Sequence, residues 1–242
     1  MRVTLIDCTG YGMEDPARHA ANLLLFTKNT RLEMDPHGMQ SIALMDWPAV
    51  QRELDYMART IPSSWEFLHY TFLVEGVTRA FTHQFVRTRT GSYAQQSMRV
   101  TPMTQFKYRT GSSIAASEMQ VPWHHAMRFI QEVYDSMIRG GVSIEDARGI
   151  LPTNISTNIV ASFNLRTLCE MCRKRASSRT QDEYREVMEL MRREVVIAHP
   201  FTALFFARTF DRVATELEVI LRTLPEEKRT AAIKLLDQMR QD

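Results

Sequence analysis

The sequence lacks most features that mark specialised classes of protein. Its three cysteines are too few for a disulfide framework, which predicts a reducing compartment, the cytoplasm. No apolar run approaches the roughly 18 residues that cross a membrane, and the first residues lack the order of a signal peptide. A net charge of only +2 argues against a general nucleic-acid coat. No side chains have the spacing of a zinc site. We therefore expect a cytoplasmic globular protein with neither a membrane segment nor a metal.

The apolar patterns that are present predict a mixed fold. Alternation in residues 2–7 and 67–74 is typical of strands. Asp15 and Asp46 each precede a helical pattern and are expected to act as N-caps. We find no linker or internal repeat. The prediction is an α+β fold in one domain, residues 1–242, with a central mixed or antiparallel sheet flanked by helices and a helical C-terminal half.

Other stretches receive specific predictions. Gly76 is expected to end the second strand, with a helix beginning at Val77. Residues 31–45 carry Pro and Gly and are predicted as a loop, and residues 88–99, which follow neither period, are predicted as another. One long helix is predicted from the apolar residues Ile155, Ile159, Phe163, Leu168 and Met171. Capping boxes are indicated by Ser178 with Gln181 and by Thr223 with Glu226.

The outstanding stretch is the loop Arg-Thr-Arg-Thr-Gly-Ser-Tyr-Ala-Gln-Gln-Ser-Met-Arg at residues 87–99. Arginine presents a planar fork of donors that suits phosphate oxygens, and serine hydroxyls add short hydrogen bonds to the same group. Gly91 allows the backbone to approach a ligand closely. The composition alone fits an anion-binding loop, and it equally fits a solvated basic loop that makes surface salt bridges.

Two further groups of charged residues lie downstream. Arg166, Glu170 and Lys174 are spaced four apart in a helical pattern, as in an exposed ladder of ion pairs. Glu145 and Arg148 are three apart and are placed to pair with one another. Cys169 and Cys172 have no histidine beside them in the sequence and are interpreted as core residues rather than a nucleophile, a redox pair or half of a metal site.

These segments together resemble the flavin-dependent thymidylate synthases. The family signature is Arg-His-Arg, two residues, Ser, four residues, Ser, one residue, Arg. Residues 87–99 match every fixed position except the histidine, which is Thr88. The order and spacing hold over about residues 60–190, which makes the resemblance specific. Its other elements are matched by Trp65-Glu66, Tyr70-Thr71-Phe72, Gln84, residues 145–152, Asn164, Arg166, Leu168, Arg175, Gln181 and Glu183.

The resemblance implies a role for individual residues. Nucleotide-binding residues would be Gln84, Arg87, Gln95, Gln96, Ser97, Arg99, Arg148 and Arg175, with Ser97 and Arg99 on the phosphate. Flavin-binding residues would be Ser63, Arg87, Thr88, Arg89, Gln95, Asn164, Arg166 and Glu170. Arg175 would also be catalytic, because it would stabilise negative charge at N3 of the uracil and so raise the nucleophilicity of C5. A guanidinium suits that role because it stays charged.

The implied reaction is C5-methylation of dUMP or UMP without a cysteine nucleophile. The cofactor would be FAD, with methylenetetrahydrofolate and NADPH as co-substrates, and the protein would be a homotetramer with shared sites. The chain departs from the family at Thr88, at Ile61 in place of another histidine, and at Gln95, Glu170 and Lys174. These changes resemble divergent relatives that methylate UMP in nucleoside-antibiotic biosynthesis, such as the polyoxin-pathway enzyme, so UMP and dUMP both stay open.

Two other functions are compatible with the sequence. One is a flavoprotein that oxidises NADPH without transferring a methyl group, which the change at Thr88 keeps open. The other is a nucleic-acid binding module that uses Arg87, Arg89, Arg99 and the basic residues of 173–185. The near-zero net charge and the few aromatic residues between the basic ones disfavour the second.

Overall fold

The computed structural model describes residues 1–30, 35, 37–175, 180–207, 221, 225–226 and 228–233. The chain divides into two compact units, each built from two stretches of sequence. We call Met1–Asp7 with Thr71–Phe163 the sheet unit, and Cys8–Tyr70 with the described part of Asn164–Asp242 the helical unit.

The sheet unit contains the strands β1 (Arg2–Cys8), β2 (His69–Thr78), β3 (Ser92–Gln95) and β4 (Ser156–Asn164). They form one four-stranded sheet in the order β1-β2-β4-β3. β1 and β4 run one residue past the bounds of the unit, and β2 begins two residues before them. The described helices are α1 (Pro16–Asn29), α2 (Gly38–Ala43), α3 (Trp47–Thr60), α4 (Arg79–Phe85), α5 (Ser112–Ala115), α6 (Gln120–Arg139), α7 (Ile144–Ala147), α8 (Leu165–Arg175), α9 (Asp182–Ala198) and α10 (Ala203–Phe206). This composition confirms the predicted α+β class with a helical C-terminal half. Whether the two units form one domain stays a prediction.

The antiparallel pair β3–β4 carries the site described below. Its register sets Ser92 opposite Ser162 and Gln95 opposite Ile159. Along β4 every second residue is buried, from Thr157 to Phe163, as expected for a strand with one face on a core. A cluster of aromatic rings covers that face, formed by Phe81, Phe85, Tyr93 and Phe163.

The prediction of one long helix through residues 155–171 is wrong in its first half. Ile155, Ile159 and Phe163 are spaced four apart, and four is a multiple of the strand period as well as close to one helical turn. The residues between them, Thr157 and Ala161, are also buried, so the burial alternates as in a strand. Only from Leu165 onward does the helix α8 form.

Three smaller predictions are also wrong. Residues 92–95 of the predicted loop 88–99 form the edge strand β3, and residues 38–43 of the predicted loop 31–45 form the helix α2. Gly76 does not end β2. Its φ of +66° is tolerated because glycine has no Cβ, and its N–H donates to the side-chain oxygen of Asn158 at 3.0 Å, so β2 continues to Thr78 and α4 begins at Arg79 rather than Val77.

In the helical unit, α1 and α3 have the N-caps that the sequence predicted. The carboxylate of Asp15 accepts from the amide of Arg18 and that of Asp46 accepts from Ala49, both at 2.8 Å. Gln181 precedes α9 without a capping bond from its side chain. Ser178 and Thr223, the other halves of the predicted capping pairs with Gln181 and Glu226, lie outside the described residues.

The helical unit is centred on buried aromatic contacts. Trp65 packs edge-on against Phe205 with ring centroids 4.9 Å apart. The hydroxyl of Tyr70 lies 2.8 Å from Nδ1 of the fully buried His199. Burial lowers the pKa of His199 to about 4, so its imidazole is neutral at neutral pH. None of the helices within the described ranges is long and apolar enough to cross a bilayer.

We expect Gly91→Ala to destabilise the sheet unit. A Cβ at this position would lie 2.3 Å from the ring of Phe163 and 2.9 Å from the hydroxyl of Tyr93, so both side chains would have to move. Overpacking of this kind costs about 1–3 kcal/mol in the free energy of unfolding. Gly111→Ala is the matched control, because its added Cβ meets nothing within 4 Å. Urea unfolding of both variants measures the difference, and equal midpoints would contradict the packing described here.

Candidate functional site

A cavity of about 470 Å³ opens in the sheet unit where three segments meet. They are the start of α4, the residues that follow β3, and residues 148–153. Five of the predicted nucleotide-binding residues line this cavity, namely Gln95, Gln96, Ser97, Arg99 and Arg148. The end of the motif at residues 87–99 therefore lies close in space to Arg148, about 50 positions downstream.

Hydrogen bonds to the sheet fix the loop that follows β3. The side-chain amide of Gln95 donates to the hydroxyl of Thr82 at 2.9 Å, and the backbone N–H of Gln96 donates to the carbonyl of Asn158 at 3.2 Å. The hydroxyl of Ser97 accepts from the amide of Arg99 at 3.2 Å. The loop thus begins as a continuation of the strand ladder, and Gln96, Ser97 and Arg99 in it are exposed.

The charges around the cavity differ from the predicted pairing. Glu145 does not pair through its carboxylate with Arg148, as its sequence spacing suggested. Its carboxylate accepts from Arg99 at 2.7 Å, and Nε of Arg148 donates to its backbone carbonyl at 3.3 Å. The short helix α7 turns the Glu145 side chain toward the loop, which sequence separation could not show. Arg148 is left without a carboxylate partner among the described residues.

Arg79 and His83 also line the cavity, and neither was predicted as a site residue. The two residues are four apart in α4 and therefore lie on the same face of the helix. The sequence showed this spacing but gave no sign of a ligand. Burial, and after it the charge of Arg148, lower the pKa of Arg79 from its ordinary value. The cavity therefore concentrates positive charge that the described residues do not neutralise.

Tyr93 contacts the turn at residues 87–89, directly after α4, which we call the arginine turn. The hydroxyl of Tyr93 lies 3.0 Å from the carbonyl of Phe85 and 2.7 Å from that of Thr88. The turn exposes the side chains of Arg87 and Arg89, while Thr88 is half-buried. Gln84 lies one turn before Thr88 and is also half-buried. Gly91 makes its close approach to the ring of Phe163.

The predicted flavin residues of the helical unit surround the start of α8. Asn164 caps the helix by accepting from the amide of Thr167 at 2.8 Å. Arg166 donates to Glu170 at 3.1 Å and to Glu66 at 2.7 Å, and these bonds raise its pKa. The expected ion pair of Arg166 with Glu170 is thus present, with Glu66 as an additional partner. Ser63 is exposed in the turn before β2.

Arg175 lines a different cavity from that of the predicted nucleotide residues. It ends α8, and its guanidinium lies 4.6 Å from the ring centroid of Tyr184. The cavity has a volume of about 350 Å³ and belongs to the helical unit, with Arg173, Arg185 and Arg192 also on its walls. Within the sheet-unit cavity Arg175 is not among the lining residues.

The cysteines of α8 have raised pKa values. Cys169 is 1% exposed, and burial raises the pKa of its thiol well above the usual range. Burial raises the pKa of Cys172 to about 12. Cys169 is therefore a core residue, as predicted. Cys172 is half-buried and also lines the helical-unit cavity.

A family model covers most of the chain. Residues 21–201 match the model described as thymidylate synthase complementing protein. The chain belongs to this family. The resemblance identified from residues 60–190 is thereby confirmed.

Members of the thymidylate synthase complementing family with curated names match over a shorter stretch. A flavin-dependent thymidylate synthase of Sulfurisphaera tokodaii is 37% identical over 133 residues, which are 54% of this chain and 51% of that protein. One of Thermococcus onnurineus is 38% identical over 130 residues, 52% of this chain and 53% of that protein. The chain thus spans about half the length of the curated relatives that it matches.

A solved structure has the same fold. The crystal structure of a UMP/dUMP methylase from Streptomyces cacaoi, bound with 5-Br dUMP, aligns with a TM-score of 0.69 over 85% of this chain and 94% of that one. The sequence identity is 19%, so the likeness concerns the fold. In the described part of this family member no three His, Cys, Asp or Glu side chains are grouped to hold a metal ion.

We expect Cys169 and Cys172 to react slowly with iodoacetamide at pH 8. Only a thiolate attacks the reagent, and a pKa of about 12 for Cys172, raised from 9, leaves about 1000-fold less thiolate. Alkylation of both should therefore be at least about 100-fold slower in the folded protein than in urea. Mass spectrometry of each cysteine peptide measures the rates. Equal rates in the two states would show an accessible, activated thiol and contradict the raised pKa values of these cysteines.

Proposed function

We propose that this chain binds FAD and a uridine 5′-monophosphate, dUMP or UMP, and methylates C5 of the uracil. Methylenetetrahydrofolate would supply the one-carbon unit and NADPH the reducing equivalents, with no cysteine nucleophile. The observation that carries the proposal is the sheet-unit cavity, which gathers Ser97, Arg99 and Arg148 with two glutamine side chains. Family membership supports it, as do the names of the relatives and the 5-Br dUMP held by the structurally similar methylase.

The 5′-phosphate would bind at Ser97, Arg99 and Arg148. The Ser97 hydroxyl and the two guanidinium groups offer donors with the geometry that phosphate oxygens accept. Glu145 occupies part of the Arg99 fork and would orient it, leaving its remaining N–H groups for the nucleotide. The side-chain nitrogen of Gln95 is committed to Thr82, so its amide oxygen would accept from the nucleotide. Gln84, Gln96 and Arg87 would complete the binding site.

The residues present fit a flavin dinucleotide. Arg87 and Arg89 are exposed, and no carboxylate among the described residues pairs with either one, so their charges suit the diphosphate. Thr88 and Gln95 would lie along the same cofactor, with Ser63, Asn164, Arg166 and Glu170 from the helical unit. The Arg166–Glu170 pair holds both side chains at the start of α8. When bound, FAD would carry reducing equivalents from NADPH to the one-carbon unit.

Arg175 would act on the uracil. Its guanidinium is positioned against the ring of Tyr184, which limits the number of directions in which its donors point. A fixed positive charge beside N3 would stabilise the negative charge that develops as C5 becomes nucleophilic. Since α8 carries no activated thiol, this electrostatic route would replace covalent activation by cysteine.

We expect Arg175→Ala to slow methylation by about 100- to 1000-fold while the flavin absorbance spectrum stays close to normal, because one charge-stabilising donor is lost. Lys174→Ala is the matched control, since Lys174 is the exposed neighbour on the same helix. A protein with Cys8, Cys169 and Cys172 changed to Ser should keep most of its activity. The measurement is single-turnover formation of methylated product from dUMP and from UMP, with the flavin reduced beforehand.

Two outcomes would contradict this function. A folded cysteine-free protein without activity, together with an active Arg175→Ala variant, would exclude the proposed mechanism. A wild-type protein that oxidises NADPH but methylates neither nucleotide would favour a flavoprotein oxidase.

We further propose a homotetramer in which sites are shared between chains, located in the cytoplasm. The helix α6 supports an assembly, because it buries Met127 and Tyr134 but leaves Val121 and Phe129 62% and 65% exposed. The low number of cysteines, three in 242 residues, agrees with a reducing compartment.

We expect Phe129→Glu to lower the mass measured by light scattering, because a charge would be buried in an apolar contact. Leu44→Glu is the control, as Leu44 is 88% exposed and lies outside α6. A wild-type monomer that still turns over substrate would exclude shared sites.

A further inference from the structure

Arg79 is held at the wall of the sheet-unit cavity by the backbone. Its N–H donates to the carbonyl of Ile155 at 3.1 Å, and the N–H of Ala80 donates to that of Thr153 at 2.8 Å. These bonds join the first turn of α4 to residues 153–155, directly after the cavity-lining residues 148–152. The backbone of Arg79 is thus tied to the segment that carries Arg148.

The guanidinium of Arg79 reaches the loop that follows β3. Nη2 donates to the carbonyl of Gln96 at 2.6 Å, directly before Ser97. Nε is buried and has no hydrogen-bond partner in the described part of the protein. A buried donor without a partner is costly, so an acceptor that entered the cavity and reached Nε would be favoured. A hydrogen-bond acceptor bound in the cavity beside Ser97 would lie near the guanidinium of Arg79.

In the described part of the chain no negative side chain pairs with Arg79. The carboxylate of Glu145, which lies at the same cavity, is bonded to Arg99. Among the described residues neither Arg79 nor Arg148 has an acidic partner, and burial together with the charge of Arg148 lowers the pKa of Arg79. Arginine remains protonated in such surroundings, so the two positive charges persist until an anion enters.

We propose that Arg79 is a phosphate-binding residue, which with Arg148 and Ser97 holds the dianionic 5′-phosphate of the nucleotide. This inference rests on the proposed function, and it assigns the main charge recognition to the interior of the cavity. Arg99 has a side chain that is 60% exposed and shared with Glu145, so it closes the cavity at the rim. The chain would then select nucleoside monophosphates over nucleosides chiefly through Arg79 and Arg148.

The test compares Arg79→Gln with wild type in the full FAD-loaded chain. Glutamine keeps the first part of the side chain and a polar end, but it removes the charge and the bond from Nη2 to the carbonyl of Gln96. Arg128→Gln is the matched control, since Arg128 is exposed on α6 and does not line the cavity. The ligands are dUMP, deoxyuridine and inorganic phosphate, measured by calorimetry at several salt concentrations, with flavin content and unfolding midpoint as checks on the fold.

For Arg79→Gln we expect dUMP affinity to fall about 10- to 100-fold, as for the loss of a charge-assisted contact. Deoxyuridine affinity should be unchanged. The dependence of dUMP affinity on salt should become shallower, which a purely structural role would not cause. Arg79→Lys, which keeps the charge, should retain the salt dependence while losing part of the affinity, and it serves as the test if the glutamine variant does not fold.

The outcomes separate this inference from the function on which it rests. Unchanged dUMP affinity in Arg79→Gln, or an equal loss for dUMP and deoxyuridine, would overturn the role of Arg79 while the function stands. A wild-type protein that binds inorganic phosphate through Arg79 but not dUMP would support the anion site and overturn the nucleotide function. Binding of neither ligand by the wild type would overturn both.

Discussion

The pairing of the short strand β3 with β4 is the constraint on which the candidate site depends. Its register places Tyr93 opposite Ala161 and Gln95 opposite Ile159, and the ladder continues with the bond from Gln96 to Asn158. Tyr93 is thereby placed with its hydroxyl against the carbonyl of Thr88 in the arginine turn, and Gln96 begins the loop that lines the cavity. Side chains alternate between the two faces of a strand. A shift of the β3–β4 register by one residue would therefore turn Tyr93 away from the arginine turn and Gln96 away from the cavity.

The aromatic cluster beneath β3 makes that pairing rigid enough to support an exposed site. Phe85 and Phe163 meet edge to face with centroids 5.5 Å apart, and Tyr93 packs against Phe163 at 5.6 Å. Pairs of this kind contribute about 0.5–1.5 kcal/mol beyond their buried area. The charges of Arg79 and Arg148, which no carboxylate among the described residues pairs with, work against stability near this cluster. In our account, the same positive charge that costs stability supplies the affinity for phosphate.

The sequence predicted what depends on local pattern and missed what depends on distant partners. The caps at Asp15 and Asp46, the loop residues of the motif and the burial of Cys169 could be read from neighbouring residues alone. The strand β3 is short and polar, so its identity comes from β4 and not from its own pattern. The partner of Arg99 is Glu145, 46 positions away, which no spacing rule indicates. Arg79 was not predicted as a site residue for the same reason, since its surroundings include the carbonyl of Gln96 and the charge of Arg148, both distant in sequence.

The most direct test of this account is hydrogen–deuterium exchange of the FAD-loaded chain with and without dUMP. If the sheet-unit cavity is the phosphate site, dUMP should slow exchange in peptides covering residues 95–99 and 148–153, with little change in α6. Unchanged exchange in both peptides at saturating dUMP, with slowing confined to the residues around the helical-unit cavity, would place the nucleotide elsewhere and contradict the account.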